Sequence, residues 1–343
     1  MSRFLCVDIG AGTMDVLWFD TESVHHYKAV VVSPVRTIAE RAARLPGDLV
    51  VTGCEMGGGP VTEVLRRRAE TNEVIASLSA AATLHHDAET VRSWGITVVD
   101  DAEAEKLRRC KGHAHLVLQD VEADRLERIV GCFGIPFDFD AVAVCVQDHG
   151  VPPAGVSHLD FRHRVYRERL DARPQPHVLL FAADEVPAFL NRLRSVAAGA
   201  RQLPAREAFV MDSGMAAIVG AALATSHTVC AAVAGNELAG VVEYHTKDIT
   251  RERLEGLLED LAAGRLDHRQ VLAEGGHGAY TRQAAGPEAL KTIIATGPKR
   301  SLVEGSRLPM IWGAPLGDNM MTGCVGLLEA LRIRKGLPRP TYL

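Results

Sequence analysis

Residues 8–13 read Asp8-Ile9-Gly10-Ala11-Gly12-Thr13 and follow the apolar run Phe4-Leu5-Cys6-Val7. Two glycines within three residues allow a tight turn, because glycine has no Cβ to restrict its backbone. What comes after the turn decides the fold. A dinucleotide-binding loop opens a helix, whose N-terminus holds the pyrophosphate, and carries a third glycine. This chain has Asp15 where that glycine would stand, and continues Asp15-Val16-Leu17-Trp18-Phe19-Asp20. Such β-branched and aromatic residues predict a strand. A strand–turn–strand cradle has another use: its backbone N–H groups can curl around phosphate oxygens while an acid at the strand end faces hydrated Mg2+. An ordinary hairpin turn is the plain alternative.

Working outward, residues 27–32 predict a third strand, and residues 35–45 a helix with Ile38, Ala42 and Leu45 on one face. Residues 49–51 predict a buried strand, and Gly57-Gly58-Gly59-Pro60 leads into a helix with proline in its first turn. Residues 70–140 mix helices and short strands. The apolar run 141–146 ends in Gln147-Asp148-His149-Gly150. Residues 170–176, with two prolines, suggest a linker or surface loop.

The second half echoes the first. A strand at 208–211 ends in Asp212-Ser213-Gly214, and further strands are expected at 217–222, 229–233 and 238–244. Thr250 is placed to cap a helix through residue 263. A strand at 292–295 ends in Thr296-Gly297-Pro298, and residues 310–313 lead into a helix over 320–334. The repeated acidic turn predicts a duplicated α/β architecture with domains 1–204 and 205–343 and a cleft between them.

Composition narrows the classes. The chain has 343 residues, 47% of them hydrophobic, and a net charge of −5. That apolar fraction excludes general disorder, and the acidic balance offers no nucleic-acid surface or basic membrane face. Asp8 interrupts the opening apolar stretch too early for a signal peptide. Residues 213–236 lack Asp, Glu, Lys and Arg, yet two buried strands joined by a turn at 226–228 fit better than a membrane span. The seven cysteines are scattered and form no CxxC pair, so neither a zinc spacing nor a disulfide framework is expected. Together these features predict a cytoplasmic protein that handles a small ligand, with no nucleic-acid or membrane partner.

With these motifs in place, the chain resembles the actin/Hsp70/sugar-kinase ATPase superfamily. Asp8-Ile9-Gly10-Ala11-Gly12-Thr13 is similar to its first phosphate loop and Val210-Met211-Asp212-Ser213-Gly214 to its second. Ile293-Ile294-Ala295-Thr296-Gly297-Pro298 is similar to its adenosine motif, departing from the usual paired glycines at Gly297-Pro298, and Gly323-Cys324-Val325-Gly326 to its small-residue helix. The resemblance implies two RNase-H-like domains that hold ATP and Mg2+ between them. Asp8 and Asp212 would position the Mg2+, while Gly10, Ala11, Gly12, Thr13, Ser213 and Gly214 bind phosphates and Thr296, Gly297 and Pro298 border the nucleoside. It also implies a water-orienting or basic group near the end of residues 141–146, which would be Gln147 or Asp148; an exposed polar turn is the alternative there. A closer resemblance, carried by Met56-Gly57-Gly58-Gly59-Pro60, Gln147-Asp148-His149-Gly150 and Gly275-Gly276-His277-Gly278, is to a branch labelled pyruvate-formate-lyase-activating-enzyme-like. That label implies radical chemistry, but the CxxxCxxC run for its iron–sulfur centre is absent.

Gly57-Gly58-Gly59 could bind an anion at the following helix or simply connect strand to helix. Residues 275–278 could form a flexible loop over the cleft, His277 meeting substrate. His25-His26, His85-His86, His113 and His115 show no carboxylate partner at legible spacing and read as surface residues. Arg66-Arg67-Arg68 reads as a solvated helix face. The expected function is an ATP- and Mg2+-dependent ATPase or phosphotransferase acting on a small metabolite. The rivals are a nucleotide-responsive protein that binds a protein partner and an NAD-dependent oxidoreductase. A helix after Thr13 would favour the latter. Oligomeric state is left open.

Overall fold

The computed structural model describes residues 2–23, 25–153, 155–220 and 227–338. Strands β1 (Arg3–Ile9) and β2 (Thr13–Asp20) form an antiparallel hairpin, extended by β3 (His26–Val32). The element after Thr13 is therefore a strand, which removes the helix that a dinucleotide loop requires. Ser33 caps α1 (Pro34–Arg44), its Oγ accepting the Val35 N–H. The chain then builds β4 (Asp48–Gly53), α2 (Gly59–Ala69), β5 (Val74–Ser77), α3 (Leu78–Ala81), α4 (Ala88–Ser93), β6 (Thr97–Val99), α5 (Asp101–Leu107) and β7 (His113–Leu118). These four strands pair in parallel in the order β6-β5-β4-β7.

Helix α6 (Ala123–Gly131) leads back to β8 (Phe139–Val146), which lies parallel to β1. Next come α7 (His158–Ala172), β9 (Phe181–Ala182), α8 (Asn191–Ala200), β10 (Ala205–Asp212) and α9 (Ser213–Gly220). The central sheet is thus six-stranded, in the order β3-β2-β1-β8-β10-β9. Strands β11 (His227–Ala234) and β12 (Glu237–His245), helices α10 (Arg251–Ala262) and α11 (His268–Ala273), and β13 (Gly278–Thr281) follow. The three strands form an antiparallel sheet, beside a parallel pair made by β14 (Ile293–Ala295) and β15 (Met310–Trp312). Helix α12 (Thr322–Arg334) returns to pack on the central sheet.

Burial sorts these elements into three apolar cores. One joins Leu5, Val144, Leu193, Met211 and Leu327 around the central sheet. A second joins Ile38 of α1 to Leu49, Leu65 and Leu116 of the inserted parallel sheet. The third joins Val242, Leu254, Leu257 and Val271.

Several expectations need correction. A boundary at 204/205 falls between α8 and β10, but β10 pairs with β8 inside the central sheet, so no domain begins there. Asp212-Ser213-Gly214 opens a helix rather than a hairpin, and residues 217–220 are helical, not a strand; 221 and 222 lie outside the described residues. The echo of the first turn is thus one of sequence and not of local structure. Of the turn expected at 226–228, Ser226 is outside the described residues and Thr228 lies within β11. Residues 170–172 finish α7 instead of forming a linker. Among the described residues, no helix is long and apolar enough to cross a membrane.

Helices α9 and α12 cross in backbone contact. A Cβ added to Gly326 would lie 1.8 Å from the Ala216 carbonyl oxygen, and one added to Gly220 would lie 2.1 Å from that of Thr322. Only glycine permits this approach.

Candidate functional site

A cavity of about 500 Å³ is lined by residues of the central sheet and its helices, of α1 and α2, and of β12. The β1–β2 turn forms one wall. Gly10 N–H donates to the Thr13 carbonyl at 2.9 Å, and Ser33 braces the turn by donating its hydroxyl to the Gly10 carbonyl at 2.6 Å and its N–H to that of Gly12 at 3.1 Å. Gly10, Ala11 and Thr13 line the cavity.

Asp8 and Asp15 stand directly opposite each other across the hairpin, so the pleat puts both side chains on one face, and both line the cavity. Burial pushes the Asp8 carboxyl up to about 6; a hydrogen bond from Cys145 opposes the rise and nearby Asp212 adds to it. Asp15, 5% exposed, is pushed up to about 8, first by burial and then by the charge of Asp8. Its Oδ1 is buried with no hydrogen-bond partner among the described residues. Asp15 was noticed in the sequence only as a missing glycine.

The folded state therefore holds the Asp15 proton more tightly than the unfolded chain does. By linkage, stability is fully present below pH about 4 and declines as pH rises through about 8. In metal-free buffer, Asp15→Asn should melt above the wild type at pH about 8, with the difference shrinking toward pH about 4. Thermal melts across that range check this; a difference independent of pH would refute it.

Asp212 ends β10 in a different setting. Its carboxylate accepts from Arg162 Nη2 at 3.0 and 3.2 Å, from the Gly214 and Met215 N–H groups at 3.0 and 3.3 Å, and from the Asp148 N–H at 3.3 Å. It thus caps α9 and neutralises a buried guanidinium. Arg162, on α7, also donates to Glu243 Oε2 at 2.6 Å, and Gln147 Nε2 donates to Glu243 Oε1 at 2.9 Å. Gln147 and Glu243 line the cavity, whereas Asp148 does not. The Asp148 carboxylate accepts the N–H groups of Gly150 and Leu193 at 2.7 and 2.9 Å and is 3% exposed, so it braces α8 rather than facing a reactant.

On the remaining walls, Gly297 and Pro298 border the cavity, while Thr296 is fully buried and shares a 2.9 Å hydrogen bond with Thr322. Arg192 is fixed by Asp120 at 2.8 and 3.1 Å and donates to the Gln147 carbonyl at 2.9 Å. The first residues of three helices reach the cavity: Gly59 and Pro60 of α2, Ser213 and Gly214 of α9, and Thr322 and Gly323 of α12. Their partial positive charges converge on one space. A Cβ on Gly323 would lie 2.0 Å from Asp8 Oδ2, which brings α12 directly against that carboxylate.

His149 and His245 also line the cavity, with the His277 ring 6.1 and 4.2 Å from theirs. The 275–278 segment is a packed connection into β13 and not a flexible loop. His277 N–H donates to the Glu243 carbonyl at 2.8 Å, and a Cβ on Gly276 would meet Val271 at 2.6 Å. Two histidines expected to lack acidic partners have them: His86 meets Glu55 at 2.9 Å and His113 meets Glu73 at 3.2 Å. Asp48 joins His113 and Glu73, bringing one potential ligand atom of each within 4.8 Å of the others. These carboxylates come from neighbouring strands and turns, which sequence spacing conceals.

Residues 56–302 match the sequence family described as "Putative pyruvate format-lyase activating enzyme (DUF1786)". The chain belongs to this family. Comparison with curated proteins gives no match. The matched DUF1786 region begins beside the Gly57–Gly59 wall and ends just after Gly297-Pro298. It therefore spans most of the cavity and leaves out the Asp8–Asp15 hairpin and α12.

Proposed function

We propose that the central cavity binds ATP with Mg2+ and that the protein hydrolyses ATP or passes its γ-phosphate to a small metabolite. The observation that carries this reading is the convergence of three helix N-termini and the glycine turn on a cavity holding two facing carboxylates. Helix ends and turn N–H groups suit phosphate oxygens. Asp8 and Asp15 suit a hard cation, and the partnerless Asp15 Oδ1 fits that use. Asp15 thereby takes the place expected of Asp212, whose carboxylate is occupied by Arg162. Bound Mg2+ would neutralise phosphate charge during transfer.

In this reading the backbone N–H groups of Ala11, Gly12, Ser213 and Gly323 hold the phosphates, those of Gly10 and Gly214 being taken by Thr13 and Asp212, and Gly297-Pro298 borders the nucleoside. Glu243 lines the cavity where Asp148 does not, but Arg162 and Gln147 engage both its oxygens, so in this reading it positions the Gln147 amide beside the reacting group rather than taking a proton. The antiparallel β1–β3 meander continued by parallel β8 and β10 supports an RNase-H-like central unit. The unit at 227–313 would be its partner across the cleft.

The family's name points instead to activation of a pyruvate formate-lyase. All seven cysteines are free; Cys6, Cys145 and Cys324 are wholly buried, with thiols pushed up by burial, the condition of inert core residues. We therefore do not carry radical chemistry over from the name.

Calorimetric titration with ATP plus Mg2+, ATP plus chelator, and NAD tests the proposal. Saturable heat only for ATP with Mg2+ is expected, and absence of binding overturns the reading. Phosphate release, measured with and without candidate acceptors, then separates a catalyst from a nucleotide-responsive binder.

A further inference from the structure

A second cavity, of about 550 Å³, lies between the inserted parallel sheet and α8. Its position agrees with a general tendency: open parallel sheets bind ligands outside the carboxyl ends of their strands. Cys54 and Glu55, just after β4, and Leu78 and Ser79, just after β5, line the cavity, and α8 closes it with Asn191, Arg194 and Ser195.

The site is built around Glu55, which is 8% exposed. Its Oε1 accepts from His86 Nε2 at 2.9 Å and its Oε2 from Asn191 Nδ2 at 2.9 Å, so one carboxylate ties the inserted unit to α8 and orients both donors. With both Glu55 oxygens engaged, His86 Nε2 held by Glu55 and the Ser79 hydroxyl donating to Asp101, the groups left to meet a ligand are the Arg194 guanidinium, the His85 imidazole and the Ser195 hydroxyl. Arg194 is exposed and has no acidic partner among the described residues. A guanidinium fork beside imidazole and hydroxyl groups matches a carboxylate or phosphate, and the volume suits a small metabolite.

We propose that this cavity is a binding site for a small organic anion bearing a carboxylate or phosphate group, with Arg194 as its principal charged contact. The site is separate from the central cavity, although α8 is common to both: Arg192 faces one and Arg194 the other.

Titration of the full chain with succinate and, separately, with inorganic phosphate tests this. Saturable binding of at least one anion is expected. It should weaken at least about tenfold in Arg194→Ala, disappear in Arg194→Glu, and persist in Asp8→Asn, which alters only the central cavity. Which anion binds identifies the group recognised. Binding of neither anion, binding indifferent to Arg194, or binding lost in Asp8→Asn would overturn the proposal. The Asp8→Asn arm keeps the result independent of whether the central cavity takes ATP.

Discussion

Replacing Arg162 with methionine should lower the melting temperature by roughly 10 °C, corresponding to about 3–5 kcal/mol. Arg162 is 5% exposed and lies between Asp212 and Glu243, themselves 1% and 7% exposed. Methionine fills much the same volume, so the loss is chiefly electrostatic: two buried carboxylates lose the guanidinium they share. Asp212 keeps its backbone donors from Gly214 and Met215, and Glu243 keeps Gln147, but none of these carries a full charge. The triple variant Arg162→Met, Asp212→Asn, Glu243→Gln should recover most of the loss, because an uncharged set of similar shape needs no ion pair. Thermal melts of the single and triple variants decide the matter. A single variant within about 2 °C of the wild type would show that the ion pair contributes little.

The second large effect is on ligand binding. Asp8→Asn should weaken binding of ATP with Mg2+ by about 100-fold or more, equivalent to about 2.7 kcal/mol. The same change should leave the fold as stable as before or more so, because it removes a carboxylate that burial disfavours and whose charge disfavours that of Asp15. Loss of binding together with an unchanged or raised melting temperature separates a ligand-binding role from a structural one. Gly323→Ala attacks the same place by a different route. Its new Cβ would lie 2.0 Å from Asp8 Oδ2, so either the carboxylate or the start of α12 must move, and binding should fall although no charge has changed. Calorimetry on both variants provides the check. Wild-type affinity in both would remove the central cavity from the mechanism.

The sequence made the first hairpin legible because glycines mark the turn and β-branched and aromatic residues flank it. The second acidic turn was misread for a physical reason. Met215-Ala216-Ala217-Ile218-Val219 is apolar on every side because α9 is wedged against α12, and an apolar run without polar punctuation does not distinguish helix from strand. Of the residues that line the cavity, Gly10, Ala11, Thr13, Gln147, Ser213, Gly214, Gly297 and Pro298 had been singled out in the sequence. Two residues that govern its charge were not. Arg162 sits on a polar-looking helix, 50 and 81 residues from the carboxylates it joins. Asp15 became visible as the partner of Asp8 only through strand register. The inserted sheet was hidden because its short strands, read singly, have no pattern that assigns them to a separate core.

That insertion also makes the order of synthesis differ from the order in which cores can close. All four strands of the inserted sheet lie within residues 48–118, so its contacts are complete once that stretch has emerged from the ribosome. The central sheet begins at Arg3 but must wait for β8, β10 and finally α12 near the chain's end. The hairpin bearing Asp8 and Asp15 is thus among the earliest segments made and among the last to be buried.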